Sequence, residues 1–406
     1  MCYGPWVVAL DSQQSQRRWF YLLVATLSQI SMAIIHLGIP ALIPLIQEEL
    51  GLTRTEVGLL SSILNGGVVV AAIAAGKAAD HFGERLIIAY GAMASGLIVM
   101  AMNWTTGFAT LSAVLALLGL ATATSTPAGS KAVAGWFDES ERGTAMGLRQ
   151  MGIPLGGAIA AMTLPSVALR YGWRLALAFA GLCAIGMGFA ALRLYREPPY
   201  DLRSVGKPAS GLKDLLQRRD IRAALFYVFI LGGSQWCYLT YMELYLSETL
   251  GYSITLAATL LALGQFCGVG GRVFWGFLSD RFFGGRRKPT LLVVGFLAVL
   301  MTLWTSLFSR ETAPGLVWLV VALLGLTLLG WNGLYLAFVS ELAGSRIAGL
   351  AIGLSNTGAF LGIVVLPPLF GFLVDETGSY RVAWMALAVV VLAAVAVLPW
   401  VKEERG

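Results

Sequence analysis

Gly271-Arg272-Val273-Phe274-Trp275-Gly276-Phe277-Leu278-Ser279-Asp280-Arg281 closes a long apolar run that begins near Ile254, and Gly284, Arg286, Arg287 and Lys288 follow it. A run of this length can cross roughly 30 Å of hydrocarbon as a helix. Arg272 falls inside the run, ahead of the basic cluster that ends it. The same pattern stands about two hundred residues earlier, where Gly76 is followed by Asp80, Gly83, Glu84 and Arg85. Two copies of one loop, each after a spanning helix, predict two homologous membrane halves.

Composition agrees. Of 406 residues, 57% are hydrophobic and 12% charged, whereas a soluble domain carries roughly a quarter charged residues. A mean hydropathy of +0.76 exceeds what one water-soluble core can hide, so a helical membrane protein embedded in a lipid bilayer is expected. The net charge of +6 does not point to nucleic acid, because the basic residues fall in short loops. Cys2, Cys183, Cys237 and Cys267 include three within apolar runs and no Cys-x-x-Cys pair, which suggests small packed residues, with neither a disulfide nor a metal site. Arg17 and Arg18 lead directly into a full-length span, so a cleaved leader is not expected.

Twelve spans are predicted, over 19–44, 55–76, 85–103, 108–131, 143–166, 172–194, 221–246, 254–277, 289–308, 315–340, 347–373 and 380–401. The stretch from Tyr195 to Asp220 carries Pro198, Pro199, Gly206 and Pro208 among many charges. It reads as a linker, dividing the chain into a first half over 1–194, a linker over 195–220 and a second half over 221–406. With an even number of spans both termini share a side. That side carries 21 of the 28 Lys and Arg residues and the other carries five, Arg54, Arg170, Arg174, Arg310 and Arg381. Such a split places the termini in the cytoplasm, and a bacterial inner membrane is the expected location. The remaining two, Arg149 and Arg272, lie inside spans.

The halves repeat each other further. Gly147-Leu148-Arg149-Gln150-Met151-Gly152 matches Gly353-Leu354-Ser355-Asn356-Thr357-Gly358, and Tyr171-Gly172-Trp173-Arg174 matches Ser379-Tyr380-Arg381. Parallel repeats of six spans are the build of one large transporter class. The Gly76 to Arg85 stretch resembles the signature of the major facilitator superfamily, Gly-x-x-x-Asp-Arg/Lys-x-Gly-Arg/Lys-Arg/Lys, and Gly276 to Arg287 is its second copy. The first copy departs from the pattern with His81 and Glu84 at basic positions, and the second has one extra residue before its arginines. The resemblance covers nearly the whole chain. It implies an all-α major facilitator fold and alternating access, and leaves the substrate open. It also implies a gate at the cytoplasmic end, in which Asp80 and Asp280 pair with basic residues. Arg142 and Arg346 are the expected partners, with Arg85 and Arg281 beside them.

Polar residues within the spans avoid spans 3, 6, 9 and 12, as expected if every third helix is scaffold and the other eight line a cavity. Gln29 and His36 lie in span 1, Asn65 in span 2, Arg149 and Gln150 in span 5, and Gln235, Tyr238, Tyr241 and Glu243 in span 7. Gln265 and Arg272 lie in span 8, Trp331, Asn332 and Tyr335 in span 10, and Asn356 in span 11. A guanidinium inside a span costs at least about 2.5 to 3.5 kcal/mol and does not escape by deprotonation. In the repeat Arg149 aligns with Ser355 and Arg272 with Ala72, so the symmetry of the fold requires neither. No Asp or Glu lies deep enough in a span to neutralise them, and two such cations facing one cavity favour an anion, a carboxylate above all. Gly271-Arg272 followed by Gly276 also resembles the eighth helix of monocarboxylate and oxalate carriers, where the resemblance implies an arginine that holds the substrate carboxylate. The stretch from Gly135-Trp136-Phe137 to Arg142-Gly143 looks similar to organic-anion carriers. Gly152-Ile153-Pro154-Leu155-Gly156-Gly157 partly resembles a drug-exporter motif, with its proline displaced by one position.

No Walker loop is present, and no nucleophile arrangement is found, so neither an enzyme nor a cofactor is expected. The sequence reads as a monomeric secondary transporter of a small organic anion. The substrate-binding candidates are Arg272, Arg149, Gln150, Tyr238, Tyr241, Gln265, Trp331, Asn332, Tyr335 and Asn356. Protons are the expected coupling ion, with His36 and Glu243 as candidate carriers. The alternatives are a proton-driven drug or metabolite exporter, an inorganic anion carrier of the nitrate or cyanate kind, and a receptor on the same scaffold.

Overall fold

The computed structural model describes residues 12–125, 128–129, 133, 136–137, 139–197, 212–343 and 347–401. The described residues that form regular elements are helical. The first half contains α1 (Ser12–Gly38), α2 (Ile43–Leu50), α3 (Arg54–Phe82), α4 (Glu84–Met100), α5 (Phe108–Thr122), α6 (Glu139–Gln150), α7 (Gly152–Tyr171) and α8 (Trp173–Leu194). A short α9 (Leu212–Gln217) lies in the connection. The second half contains α10 (Arg219–Glu248), α11 (Ile254–Phe282), α12 (Arg287–Ser306), α13 (Pro314–Leu324), α14 (Asn332–Ala343), α15 (Ala348–Thr377) and α16 (Tyr380–Val397). Eleven stretches of described helix are long and apolar enough to cross a membrane, and the shorter apolar α5 completes the expected twelve.

Several spans are not the single helices expected, and each departure has a local cause. The first ends at Gly38, because Pro40 has no N–H to continue the ladder and seeds a short 3₁₀ turn over Pro40–Leu42. The fourth is interrupted after Thr122, where the Thr122 and Thr124 hydroxyls donate back to the carbonyls of Leu118 and Ala121 and compete with the helix. The rest of the expected span 4 falls largely outside the described residues. The fifth is interrupted at Met151, between α6 and α7. The tenth is α13 and α14 joined by a π-helical turn over Gly325–Leu329. The signature residues Gly276 to Arg281 belong to the last turns of α11 rather than to a loop.

The halves meet along two seams, α3 against α15 and α7 against α11. At the end opposite the termini, side chains tie the halves together. Asp375, near the end of α15, accepts from the backbone N–H groups of Arg54 and Thr55 at 3.0 and 2.7 Å and from the Thr55 hydroxyl at 2.6 Å. Those donors open α3, so a carboxylate of one half caps a helix of the other, where the helix dipole favours negative charge. Arg54 also pairs with Glu248 at 2.8 Å. The Tyr241 hydroxyl lies 2.7 Å from the Arg54 carbonyl and 2.9 Å from that of Pro367. Deeper in the same seam the Ser62 hydroxyl donates to the Val364 carbonyl at 2.6 Å. That carbonyl has no helical partner, since residue 368 is a proline.

Candidate functional site

Between the halves lies a cavity of about 290 Å³. Gln29 and His36 of α1, Asn65 of α3, Gln150 of α6, Gln235 and Trp236 of α10, Gln265 and Arg272 of α11, Trp331, Asn332 of α14 and Asn356 of α15 supply most of its polar and aromatic wall. The remainder is mainly apolar, with Met32, Leu37, Ile153, Leu239, Leu329 and Phe360 among it. Among the described residues on this wall, Arg272 is the one Lys or Arg, and no Asp or Glu joins it.

Two breaks in neighbouring helices hold Arg272 in place. Its Nη1 donates to the carbonyl of Gln150 at 3.1 Å across the α7–α11 seam. In an unbroken helix that carbonyl would accept from the N–H four residues on, but residue 154 is proline and has none. Its Nε donates to the carbonyl of Leu329 at 3.4 Å, where the π turn ends. Such turns leave carbonyls misaligned with the α ladder and recur at functional sites. The other loosened carbonyls find local partners, Leu326 from Trp275 Nε1 at 2.7 Å and Leu328 from Trp331 Nε1 at 2.9 Å. The close approach depends on Gly271, where a side chain would run into the Leu326 carbonyl. Both partners of the guanidinium are neutral. It therefore keeps its full charge, and of its five N–H donors some remain for a ligand.

Opposite lies His36. The Asn65 Nδ2 donates to the Ser61 carbonyl at 2.8 Å, which turns Asn65 Oδ1 toward His36 Nε2 at 3.3 Å. An amide oxygen only accepts, so Nε2 carries the hydrogen in this contact. The His36 ring stands edge-on to Trp236, with centroids 5.4 Å apart. Asn332 Nδ2 donates to Gln235 Oε1 at 3.2 Å. Three amides are less well served. Both polar atoms of Gln29, Gln265 Nε2 and Gln150 Oε1 are buried without a hydrogen-bond partner among the described residues. Each such group costs about 1 to 3 kcal/mol while unpaired.

The cavity brings together six of the ten substrate-binding candidates, Arg272, Gln150, Gln265, Trp331, Asn332 and Asn356. The other four lie elsewhere. Arg149 is 1% exposed and packs into the end of the fourth span, with Nη2 donating to the Ser125 carbonyl at 2.5 Å and the guanidinium filling the space a side chain on Gly129 would need. Its Nε and Nη1 are buried without a partner among the described residues. Tyr238 packs against Gly264, its hydroxyl similarly unpartnered. Tyr241 belongs to the tie between halves described above. Tyr335 donates within the second half, to the carbonyl of Ala224 at 2.9 Å. Of the proton candidates, His36 is on the cavity wall. Glu243 is fully buried away from the wall, and neither carboxylate oxygen has a hydrogen-bond partner among the described residues.

The gating candidates are partly visible. Asp280 pairs with Arg287 at 2.5 Å, and Arg287 also reaches Glu341 at 3.2 Å. The arginine that meets Asp280 thus comes from the start of the next helix. The expected partner Arg346 lies outside the described residues, as do the side chains of Asp80 and Arg142. Arg85 donates to the Leu192 carbonyl, and Arg281 is exposed. Gln29, Asn65, Gln235 and Trp236 were not among the site candidates. The first three are polar residues within spans and carried a usable signal, whereas Trp236 carried none.

A family model described as Major Facilitator Superfamily matches residues 21–365. The chain belongs to the Major Facilitator Superfamily. Among its superfamily relatives, an uncharacterised MFS-type transporter of Mycobacterium tuberculosis is 31% identical over 94% of this chain and 85% of the relative. The probable sulfoacetate transporter SauU of Cupriavidus necator is 28% identical over 92% of this chain and 91% of the relative. A solved bacterial homologue of the human lysosomal transporter Spinster, in an inward-facing, unoccupied conformation, superposes with a TM-score of 0.81 at 16% identity. The match covers 95% of this chain and 97% of that one. The superfamily assignment makes the chain a transporter and not an enzyme.

Proposed function

We propose that this Major Facilitator Superfamily chain carries a small organic anion, a mono- or dicarboxylate, by alternating access coupled to protons. The observation that carries the reading is Arg272, a cation on the wall of the central cavity that is held by two neutral carbonyls. A guanidinium kept charged in a largely apolar cavity attracts an anion, and a carboxylate or sulfonate matches its planar fork. The relative named as a probable sulfoacetate transporter supports the anion class. The Lys and Arg split supports termini in the cytoplasm of a bacterial cell. With that orientation the ties through Asp375, Arg54 and Tyr241 close the outer end, and alternating access would break them.

The test is uptake by proteoliposomes of labelled lactate, oxalate, sulfoacetate and nitrate, with and without an inward proton gradient. Carboxylate or sulfonate uptake that rises with the gradient is expected. Nitrate uptake alone would favour an inorganic anion carrier. A second reading, export of an amphiphilic compound, rests on the apolar wall formed by Met32, Leu37, Ile153, Leu239 and Phe360. Gradient-driven efflux of a hydrophobic cation, with no anion uptake, would put that reading first.

A further inference from the structure

The unpaired amides on the cavity wall are spread along the length of the helices that line it. Gln265 and Arg272 stand seven residues apart on α11, two turns of one helix face and a rise of about 10 Å. Packing against α7 fixes their levels. A side chain on Gly157 of α7 would run into Gln265 and Leu37, whereas one on Gly152 would meet Ile30 and Thr26. The Gln265 amide therefore lies against the Leu37 side chain. Arg272, bonded to the carbonyl of Gln150, lies level with Gln29 and Ile30. One end of the cavity holds a guanidinium with the free amide groups of Gln29 and Gln150. The other holds the free Nε2 of Gln265 and, among the described residues, no Lys or Arg.

We propose that the ligand is a single carboxylate borne on a hydroxylated carbon chain, as in a sugar acid. Its carboxylate sits on Arg272 and its hydroxyls reach Gln265, which sets the preference over plain carboxylates. This rests on the anion reading above and narrows it. A hydroxyl both donates and accepts, so it satisfies a glutamine whichever way the amide is turned. Gln29, with both polar atoms free, takes two such bonds. A second carboxylate would meet no Lys or Arg at the Gln265 end and would exchange its hydration there for little more than one amide N–H. A plain alkyl chain would leave the amides as they stand, buried and unpaired.

The experiment is calorimetric binding of gluconate, hexanoate and glucarate to the purified full-length protein, to Gln265→Met and to Arg272→Ala, each melted alongside. Gluconate is expected to bind about tenfold or more tighter than hexanoate, the value of one or two hydrogen bonds, and tighter than glucarate. Gln265→Met brings the gluconate-to-hexanoate ratio toward one. Should that variant fail to fold, Gln29→Met makes the same prediction. Equal binding of gluconate and hexanoate by the unaltered protein, or tighter glucarate, overturns this inference and leaves the anion reading standing. Failure of every carboxylate to bind, or unchanged gluconate binding by folded Arg272→Ala, overturns the anion reading itself.

Discussion

Arg149 and Arg272 present the same puzzle in sequence, a guanidinium inside a span with no counterpart in the repeat, and the structure resolves them differently. Arg272 stands on the cavity wall, braced by carbonyls that Pro154 and the π turn have released. Arg149 is sealed behind the wall, wedged against Gly129 and the Ser125 carbonyl. One faces the cavity and the other is packed as part of the protein. The difference teaches that whether an intramembrane charge reaches a cavity depends on what its neighbours leave open. Here the opening comes from a proline and a stretched helical turn, both on helices other than the arginine's own.

The largest expected effect is on Arg272. Arg272→Ala should remove a charge-assisted contact worth about 1.5 to 3 kcal/mol, and anion uptake at low substrate should fall roughly tenfold to a hundredfold. The protein should still fold, because losing a cation from a mostly apolar wall relieves a desolvation cost. Initial-rate uptake in proteoliposomes, normalised to folded protein, reads this directly. Uptake at the parental rate would erase the distinction between the two arginines.

A smaller effect is expected at Pro154. Pro154→Ala returns an N–H to the helix, and that N–H competes with Arg272 for the Gln150 carbonyl. One hydrogen bond is worth about 1 kcal/mol, so anion affinity should weaken by roughly fivefold, with thermal stability retained or raised. Unchanged affinity would mean that the carbonyl does not aim the guanidinium.

The smallest effect on binding is expected at Arg149. Arg149→Met replaces a buried cation with an apolar chain of similar reach, a change that is often neutral or stabilising when the charge lacks a full set of partners. Anion affinity should stay within about twofold, well under the value of a single hydrogen bond, and any change should appear in the melting temperature. A loss of affinity matching that of Arg272→Ala would place Arg149 in contact with the ligand after all.

Much of the architecture was legible because hydropathy, loop charge and the doubled Gly276–Asp280 pattern are one-dimensional signals. The positions of Arg272, Gln150, Gln265, Trp331, Asn332 and Asn356 were legible too, as polar or aromatic residues within spans, Arg272 also as one that the symmetry of the fold did not demand. What the sequence left open depends on which way a helix face turns. Arg149 and Gln150 are neighbours in the chain, yet one faces the packed interior of its half and the other the cavity. Tyr241 and Glu243 looked like cavity residues for the same reason. The sequence pointed to Arg142 and Arg346 as partners for the signature aspartates, whereas Asp280 meets Arg287, a basic residue only seven positions on that local pattern did not single out. The tie between Asp375 and the start of α3 joins residues more than three hundred positions apart, and no local pattern announces it.

The central claim is that the planar fork of Arg272, and not charge alone, binds the anion. The most direct measurement is carboxylate binding to purified Arg272→Lys beside the unaltered protein, with melting curves to confirm folding. Lysine keeps the positive charge but offers a point charge on a flexible stem. Arg272→Lys should therefore lose affinity nearly as severely as Arg272→Ala, roughly tenfold or more, while melting as a folded protein. Parental affinity in folded Arg272→Lys would contradict the claim.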